Sequence, residues 1–178
     1  MSYTRNILLA GFGGQGLLFA GRLLANCALD IKKEVTWMPS YGPESRGGTS
    51  NCGVIISDER IGSPIVVEPD ILMVMNLPSI DKFENKVVPG GIIIIDSTLV
   101  SRKAERSDVK VIYLPATQIA ADNGLEGLAN VIMTAKIVRE ADLVDLEKFK
   151  DIIAKSVPAK KAHLLEPNLT AAEMGYNF

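Results

Sequence analysis

The sequence predicts an α/β protein: a three-layer α/β/α domain of Rossmann-like type with a mostly parallel sheet and a small β-hairpin. Apolar runs of strand length alternate with segments of helical period along the 178 residues, as expected when crossover helices join parallel strands. Two of the runs, at 71–75 and 92–95, are continuously apolar, which is typical of strands covered on both faces. We therefore place these two strands in the middle of the sheet of a single domain, residues 1–178.

The first strand and the first helix are predicted to meet at a glycine-rich turn. Residues 6–10 form an apolar run that stops at the sequence Gly11-Phe12-Gly13-Gly14-Gln15-Gly16. Apolar side chains then recur at helical spacing over 17–29. Gly21 lies inside this helix, and a glycine at such a position indicates close packing of the helix on the sheet.

Two further strands are predicted on either side of a polar loop. Residues 33–37 lead into the loop and residues 52–56 follow it, and both runs contain the β-branched or apolar residues that strands favour. The polar sequence Asp58-Glu59-Arg60 comes next. We expect it to form the bend of the small β-hairpin, which turns the chain back toward Ile61.

The second half of the chain is predicted to complete the sheet and then to become helical. The strand at 92–95 follows the turn sequence Pro89-Gly90-Gly91, and a last strand at 110–114 is closed by Pro115. Helices that cover the sheet are predicted over residues 78–85, 117–122, 128–140 and 143–156 and from Ala159 onward.

Composition argues against several classes of protein. Hydrophobic residues make up 47% of the chain and charged residues 22%, which argues against intrinsic disorder. A net charge of -2 offers no basic face, so we expect no nucleic acid as a partner. The first apolar run is too short, and too soon broken by glycine, for a secretion signal or a membrane span. We expect a soluble, cytoplasmic protein without a membrane partner.

The chain has few residues with which to do chemistry alone. Cys27 and Cys52 are too few for a cysteine-ligated iron–sulfur cluster or a four-cysteine zinc site, and we expect both to be buried free thiols. His163 has no serine or cysteine elbow to serve, so we expect it on the surface of a helix. The sequence therefore predicts no metal site and no catalytic residue of its own.

The glycine-rich turn matches the Gly-x-Gly-x-x-Gly fingerprint of dinucleotide-binding proteins. An acidic residue that would hold the ribose is missing, however, because Met38, Pro39 and Ser40 follow the second predicted strand. No Walker lysine follows Gly16 either. Three interpretations stay open: a dinucleotide site, a tight turn that allows close packing, and a specialised contact to an anion or a partner.

A second glycine-rich loop follows closely along the chain. It runs from Met38 to Asn51, with the sequence Met-Pro-Ser-Tyr-Gly-Pro-Glu-Ser-Arg-Gly-Gly-Thr-Ser-Asn. A flexible backbone that carries a guanidinium and a nearby carboxylate costs entropy to order. We therefore predict that this loop is a contact surface, and that both glycine-rich segments lie together at the carboxyl ends of the strands, where α/β sheets bind their ligands.

The order of these motifs resembles the gamma subunit of the 2-oxoacid:ferredoxin oxidoreductases, which is equivalent to the gamma domain of pyruvate:ferredoxin oxidoreductase. Four landmarks carry the resemblance, and it is clearest over residues 7–96. They are the sequence Gly11-x-Gly13-Gly14-Gln15-Gly16, the sequence Tyr41-Gly42-Pro43-Glu44-x-Arg46-Gly47-Gly48, Ser63-Pro64 and Pro69-Asp70.

The resemblance implies a share in the coenzyme A-dependent oxidative decarboxylation of a 2-oxo acid, with ferredoxin as the electron acceptor. It also implies a complex with alpha and beta subunits, with or without a delta subunit. Thiamine diphosphate, iron–sulfur clusters and coenzyme A belong to that complex, and none of them is bound by this chain alone. We favour 2-oxoglutarate as the substrate. The isolated chain is expected to be inactive and to be able to form a homodimer through exposed apolar surface.

The candidate site residues lie in the two loops and face a ligand or a partner. Arg46 is the central candidate, because its guanidinium can bind a carboxylate or a phosphate of coenzyme A in two parallel hydrogen bonds, or instead pair with Glu44 to brace the loop. Gln15 offers an amide either to a neighbouring subunit or to its own turn, and Tyr41 suits either an interface or half-buried packing. The full set is Gly13, Gly14, Gln15, Gly16, Tyr41, Gly42, Glu44, Arg46, Gly47, Gly48, Thr49 and Asn51.

Two other functions compete with this one. The first is an independent dinucleotide-dependent oxidoreductase that uses the turn at 11–16, and the second is a scaffold without any ligand contact. An isolated chain that binds NAD or FAD and turns over a substrate would favour the first. Loop substitutions that change assembly alone would favour the second.

Overall fold

The computed structural model describes residues 2–40 and 49–178. Six strands form the sheet: β1 (Thr4–Phe12), β2 (Glu34–Ser40), β3 (Thr49–Ser57), β4 (Ile71–Val74), β5 (Ile92–Asp96) and β6 (Lys110–Leu114). The α-helices of the described residues are α1 (Leu17–Asp30), α2 (Leu77–Phe83), α3 (Ala116–Asp122), α4 (Ala129–Glu140), α5 (Leu146–Ser156) and α6 (Leu165–Asn177). Within the described residues, one 3-10 helix, Glu84–Lys86, follows α2 and another, Ala159–Leu164, precedes α6.

The sheet has the strand order β2-β3-β1-β4-β5-β6. Strands β1, β4, β5 and β6 are mutually parallel, whereas β3 is antiparallel to both of its neighbours, β1 and β2. The predicted α/β fold with a mostly parallel sheet is therefore confirmed, and the two continuously apolar strands β4 and β5 lie inside the sheet, as expected.

The predicted position of the small hairpin is wrong. Residues 58–59 form a bend, and within the described chain no strand follows Ser57 until β4 begins at Ile71. The Asp58 carboxylate instead accepts a hydrogen bond from the backbone of Tyr3 and pairs with Lys33. The consecutive strands that pair in antiparallel fashion are β2 and β3. This pairing could not be predicted from the local sequence, because strand pairing depends on the whole sheet.

The two faces of the sheet contribute to two hydrophobic cores of different size. Alternate strand residues such as Ile7, Leu9 and Met73 join one large core under α1, α4 and the helices that pack on them. Their neighbours, such as Leu8 and Leu72, belong to a smaller core with α2. This alternation follows from the two-residue period of a strand, and it gives the three layers that the sequence predicts.

Helix boundaries follow local capping chemistry. The Asn76 side chain accepts a hydrogen bond from the Ser79 N–H at 2.9 Å, so α2 begins directly after β4. The Asp145 carboxylate likewise accepts from the Lys148 N–H at 2.8 Å. This cap explains why α5 begins at Leu146 rather than at residue 143, as the apolar period alone predicts.

Candidate functional site

The glycine-rich turn joins the carboxyl end of β1 to the amino end of α1 and requires glycine at particular positions. Gly14 and Gly16 have φ angles of 89° and 78°, a conformation in which a side chain is strained. A Cβ at Gly11 would lie 3.2 Å from the Cβ of Met75. The turn therefore combines left-handed backbone with a close approach to the end of β4.

Gln15 braces this turn from within. Its Oε1 accepts a hydrogen bond from the Phe12 N–H at 2.6 Å, and its Nε2 donates to the Met75 carbonyl oxygen at 3.0 Å. Of the two roles that the sequence leaves open for Gln15, the structure contains the bond to its own turn. The side chain also ties the turn to the chain directly after β4, a contact across 60 residues of sequence.

Asn130, in the first turn of α4, fixes the other end of the turn. Its Nδ2 donates to the Gly16 carbonyl oxygen at 3.1 Å, and a Cβ at Gly16 would lie 2.8 Å from its Cγ. Asn130 was not among the residues predicted for the site. The available signal was an amide within the otherwise apolar run at 128–133.

The sheet topology argues against an ordinary dinucleotide site at this turn. In that arrangement an acidic residue ends the parallel strand that follows the fingerprint and lies beside the first strand. Here β3, which is antiparallel, separates β2 from β1, and β2 ends in Met38, Pro39 and Ser40. Neither the position nor the residue type suits a ribose.

A crevice of about 330 Å³ opens at the carboxyl ends of the parallel strands. Gly14, Gln15 and Asn130 form one side of it. The other residues that line it include Met75 after β4, Leu99 after β5 and Thr117 in α3. The fully buried Asp96 holds this wall in place, because its carboxylate accepts hydrogen bonds from Thr117 Oγ1 at 2.6 Å and from the Thr98 N–H at 3.1 Å. The crevice lies where α/β sheets bind their ligands.

The second glycine-rich loop has its flanking residues at the same edge of the sheet. Thr49 pairs with Phe12 in the β1–β3 register, and Asn51 pairs with Ala10 and, on its other side, with Ser40 of β2. Thr49 and Asn51 thus lie beside the strand that enters the glycine turn. Residues 41–48 lie outside the described residues, and this stretch contains the candidates Tyr41, Gly42, Glu44, Arg46, Gly47 and Gly48.

Large apolar side chains are exposed around this edge. Phe12 ends β1, Met38 lies near the end of β2, and Leu99 borders the crevice, each exposed over about two fifths of its surface. Ile65 is 64% exposed and lines a depression of about 430 Å³ together with Ser40 and Asn51. Clustered exposed apolar residues of this kind are typical of protein–protein contact sites.

Both thiols are buried, as predicted, and are poorly suited to chemistry. Burial raises the pKa of Cys27 to about 12 and that of Cys52 to about 11, so both stay protonated near neutral pH. Cys52 Sγ would lie 2.6 Å from a Cβ at Gly21, which confirms the close helix–sheet packing expected there. His163 is exposed in a 3-10 helix.

Within residues 2–40 and 49–178, no group of three or more histidine, cysteine, aspartate or glutamate side chains is arranged to hold a metal ion. In the same residues, no helix is long and apolar enough to cross a membrane.

Comparison with known proteins decides the family. A family model described as pyruvate ferredoxin/flavodoxin oxidoreductase matches residues 6–178. The chain belongs to this family. The family resemblance that the four sequence landmarks indicate is thereby confirmed. The match also extends over the carboxy-terminal helices, where none of these landmarks lies.

Relatives of this pyruvate ferredoxin/flavodoxin oxidoreductase family member carry names with different substrates. The 2-oxoglutarate synthase subunit KorC of Methanocaldococcus jannaschii is 39% identical over 97% of this chain and 92% of KorC. The ketoisovalerate oxidoreductase subunit VorA of Methanothermobacter thermautotrophicus is 42% identical over 95% of this chain. That alignment covers 35% of VorA, so the chain spans about a third of its length.

A solved structure has the same fold. The crystal structure of the keto/oxoacid ferredoxin oxidoreductase gamma subunit from Geobacter sulfurreducens superposes on this family member with a TM-score of 0.82 at 30% identity. The superposition covers 97% of this chain and 96% of the other. The arrangement of the turn, the crevice and the β2–β3 pair therefore belongs to a fold that an experimental gamma subunit shares.

Proposed function

We propose that this chain is the gamma subunit of a multi-subunit 2-oxoacid:ferredoxin oxidoreductase and that it is inactive alone. One observation supports this most directly. One edge of the sheet holds the glycine-rich turn, the residues Thr49 and Asn51 of the second glycine-rich loop, and the exposed apolar side chains. That edge has the character of a docking face for partner subunits, and its crevice is open toward them.

The chemistry of the proposed complex is the coenzyme A-dependent oxidative decarboxylation of a 2-oxo acid to acyl-CoA and CO₂, with reduction of ferredoxin. The described residues of this chain do not fit an iron–sulfur cluster, because the two thiols are buried and far from ionised. We therefore assign thiamine diphosphate and the clusters to alpha, beta or delta subunits. A cytoplasmic location is part of the same proposal.

For the substrate we propose 2-oxoglutarate. The KorC relative supports this choice, since it matches the chain over nearly the whole length of both proteins, whereas VorA is about three times longer than the matched region. The test is the rate of ferredoxin reduction by the assembled complex with 2-oxoglutarate, pyruvate and 2-ketoisovalerate in turn. A higher kcat/KM for either of the other two acids would refute the choice without affecting the subunit assignment.

Reconstitution tests the subunit assignment itself. Partner subunits purified without this chain are expected to be inactive or weakly active, and addition of the chain should restore turnover. Calorimetric titration of the isolated chain with NAD and with FAD is the companion measurement. Tight binding of either cofactor, together with turnover by the lone chain, would establish the dinucleotide-dependent alternative instead.

Arg46→Lys is the substitution that tests the second glycine-rich loop. Lysine keeps the charge but loses the two parallel hydrogen bonds of the guanidinium, so we expect turnover of the complex to fall by about tenfold or more, as when a hydrogen bond to a charged group is lost. A higher KM for coenzyme A at normal subunit retention would indicate a ligand contact, whereas poor retention would indicate bracing or subunit contact. Arg60→Lys, at an exposed position directly after the bend at 58–59, is the matched control. Unchanged turnover and retention would remove Arg46 from the proposal.

Ile65→Lys tests the docking face. Ile65 is 64% exposed at the proposed face, and Leu29 is 61% exposed at the end of α1, on the opposite edge of the sheet. We expect lysine at Ile65 to weaken association with the partner subunits at least tenfold, because it places a charge in an apolar contact. Leu29→Lys should leave association unchanged. Equal effects of the two substitutions, measured by size-exclusion chromatography of the complex, would contradict the placement of the face.

A further inference from the structure

The outer side of β2 is an unpaired strand edge. The sheet ends at β2, and the inner side of this strand pairs with β3 over all seven residues, Glu34–Ser40. Among the described residues, no main-chain hydrogen bond joins 34–40 to any segment other than β3. An open edge of this kind is a template on which another strand can pair.

The sheet register determines which residues of β2 direct their main-chain groups outward. The Met75 N–H donates to the Ala10 carbonyl oxygen at 2.9 Å, so the main chain of Ala10 faces β4. The main-chain groups of successive strand residues point to alternate sides, so the odd-numbered residues of β1 face β3. The β1–β3 and β2–β3 registers carry this alternation across the sheet. Val35, Trp37 and Pro39 therefore direct their main-chain groups away from β3.

The hydrogen-bond donors on this outer side occupy a short stretch. Val35 and Trp37 each present an N–H group and a carbonyl oxygen. Pro39 has no N–H, and an open edge is where a sheet tolerates proline. At the other end, the Lys33 N–H already donates to the Ala28 carbonyl oxygen at 2.9 Å. The outer side of β2 thus offers two donors, bounded at both ends by residues that offer none.

A second copy of β2 matches this pattern when the two strands run antiparallel with Thr36 opposite its own counterpart. Val35 then lies opposite Trp37 of the second copy and exchanges two main-chain hydrogen bonds with it, and the two-fold symmetry repeats the pair. Pro39 lies opposite Lys33 of the second copy. The donor that proline lacks is therefore matched by a residue whose N–H is used elsewhere.

Side chains favour the same register. Trp37 is 41% exposed, and its Nε1 would lie 2.7 Å from a Cβ at Gly21 of α1. Val35 lies on the same face of the strand and packs against the large core. An aromatic residue opposite a β-branched one is a favourable cross-strand pair. Glu34 is the one charged residue of β2, and it lies opposite Met38, so no like charges are opposed.

We propose that the isolated chain forms a two-fold dimer in which the two copies of β2 pair and the two sheets join into one. Two strands of seven residues make a small contact, so the dimer is weak and reversible rather than obligate. The contact runs along the outer side of β2 and meets the docking face at Met38. It needs no partner subunit, and its test is therefore independent of the proposed function.

Oxidative cross-linking tests the register. Opposite residues of a non-hydrogen-bonded antiparallel pair have Cα atoms about 4.5 Å apart, a distance that a disulfide spans. Thr36→Cys should therefore form a covalent dimer with oxidised glutathione at least tenfold faster than Met38→Cys, whose counterpart lies about 13 Å away along the strand. Met38 is the more exposed of the two, so random collision would favour it instead. Equal rates, or faster reaction of Met38→Cys, would overturn the proposal.

Val35→Pro tests the main-chain hydrogen bonds. Proline removes an outward donor and leaves the ladder to β3 intact, whereas the matched control Val35→Thr keeps both the donor and the β-branched shape. Sedimentation velocity over a range of concentrations should show reversible dimers of the parent and of Val35→Thr, with dimerisation of Val35→Pro at least tenfold weaker. Circular dichroism checks that both variants fold.

Two results of these measurements would contradict a second copy as the occupant of this edge. One is a parent chain that stays monomeric at every concentration, or a folded Val35→Pro variant that dimerises like the parent. The other comes from hydrogen exchange of the Val35 and Trp37 amides. Protection that appears only in the reconstituted complex, and not with rising concentration of the isolated chain, would show that a strand of a partner subunit pairs with β2.

Discussion

Replacing Gly175 with alanine is expected to destabilise the protein by about 3 kcal/mol, at the upper end of the cost of overpacking a core. Gly175 lies in α6 where this helix crosses α4, and an added Cβ would clash with the Ile132 carbonyl oxygen and lie 2.7 Å from its carbonyl carbon. The obstructing atoms are helix backbone, which cannot rotate away. The two helices must therefore move apart and lose contact along their length.

The sign of this effect separates packing from helix propensity. Alanine favours a helix interior by about 1 kcal/mol over glycine, so propensity alone predicts stabilisation. Gly62→Ala is the control, since a Cβ there meets no described atom within 4 Å and should change stability by less than about 0.5 kcal/mol. Urea unfolding midpoints of the three proteins decide the matter, and a Gly175→Ala variant as stable as the parent would show that α4 and α6 are not packed so closely.

Glu84→Ala is expected to cost about 2 kcal/mol, as when hydrogen bonds to a buried charged group are lost. Glu84 is buried beneath the segment that connects β5 to β6. Its carboxylate accepts hydrogen bonds from Arg102 Nη2 at 2.8 Å, from the Arg106 N–H at 3.2 Å and from the Glu105 N–H. Alanine would leave all three donors without this partner and would loosen the connecting segment, which would keep only its other contacts, such as that of Arg102 with Asp81.

The effect of this substitution should depend on pH. Burial opposes ionisation of Glu84, but the hydrogen bonds from Arg102 and from the backbone of Glu105 and Arg106 outweigh it and lower the pKa below its usual value. A lowered pKa in the folded state contributes stability above the pKa of the unfolded chain, and this contribution is lost as the pH falls through the folded value. The difference in unfolding free energy between parent and Glu84→Ala should thus be largest near neutral pH and shrink below about pH 4.

Asp108→Ala is the matched control for Glu84→Ala. Asp108 pairs with Arg106 at 2.6 Å, but its carboxylate is exposed, and surface ion pairs contribute at most about 1 kcal/mol. Denaturant unfolding of both variants at neutral and acidic pH is the measurement. Similar losses for the two, or a Glu84→Ala deficit that persists undiminished in acid, would show that the buried network does not hold this segment.

The strands and helices were predictable because their signals are local. Strand 110–114 was predicted with its observed bounds, and the continuously apolar strands β4 and β5 were found because both of their faces are covered. The sequence missed the end of β2, where the partly exposed residues Met38-Pro39-Ser40 continue the strand at the edge of the sheet. The apolar pattern is absent there because Met38 and Ser40 are exposed, and a strand residue whose face is not covered need not be apolar.

The candidate site was predicted only in part. The two glycine-rich segments were predicted to lie together, and the glycine-rich turn, Thr49 and Asn51 do lie at one edge of the sheet. Arg46 lies outside the described residues. A binding crevice was expected at the carboxyl ends of the strands, but its wall residues beyond the turn were not predicted. Met75, Leu99 and Thr117 come from three separate connections, and no spacing in the sequence brings them together.

The sequence by itself determined the fold class, the family and the two glycine-rich segments, because apolar period and turn chemistry depend on residues close together in the chain. Only the tertiary structure decided that Gln15 bonds to its own turn and to Met75, that Asn130 holds Gly16 across 114 residues, and that β3 runs antiparallel beside β1. The physical reason is that a side-chain amide or a strand edge can satisfy its hydrogen bonds with many partners, and the assembled sheet and helices determine which partner is within reach.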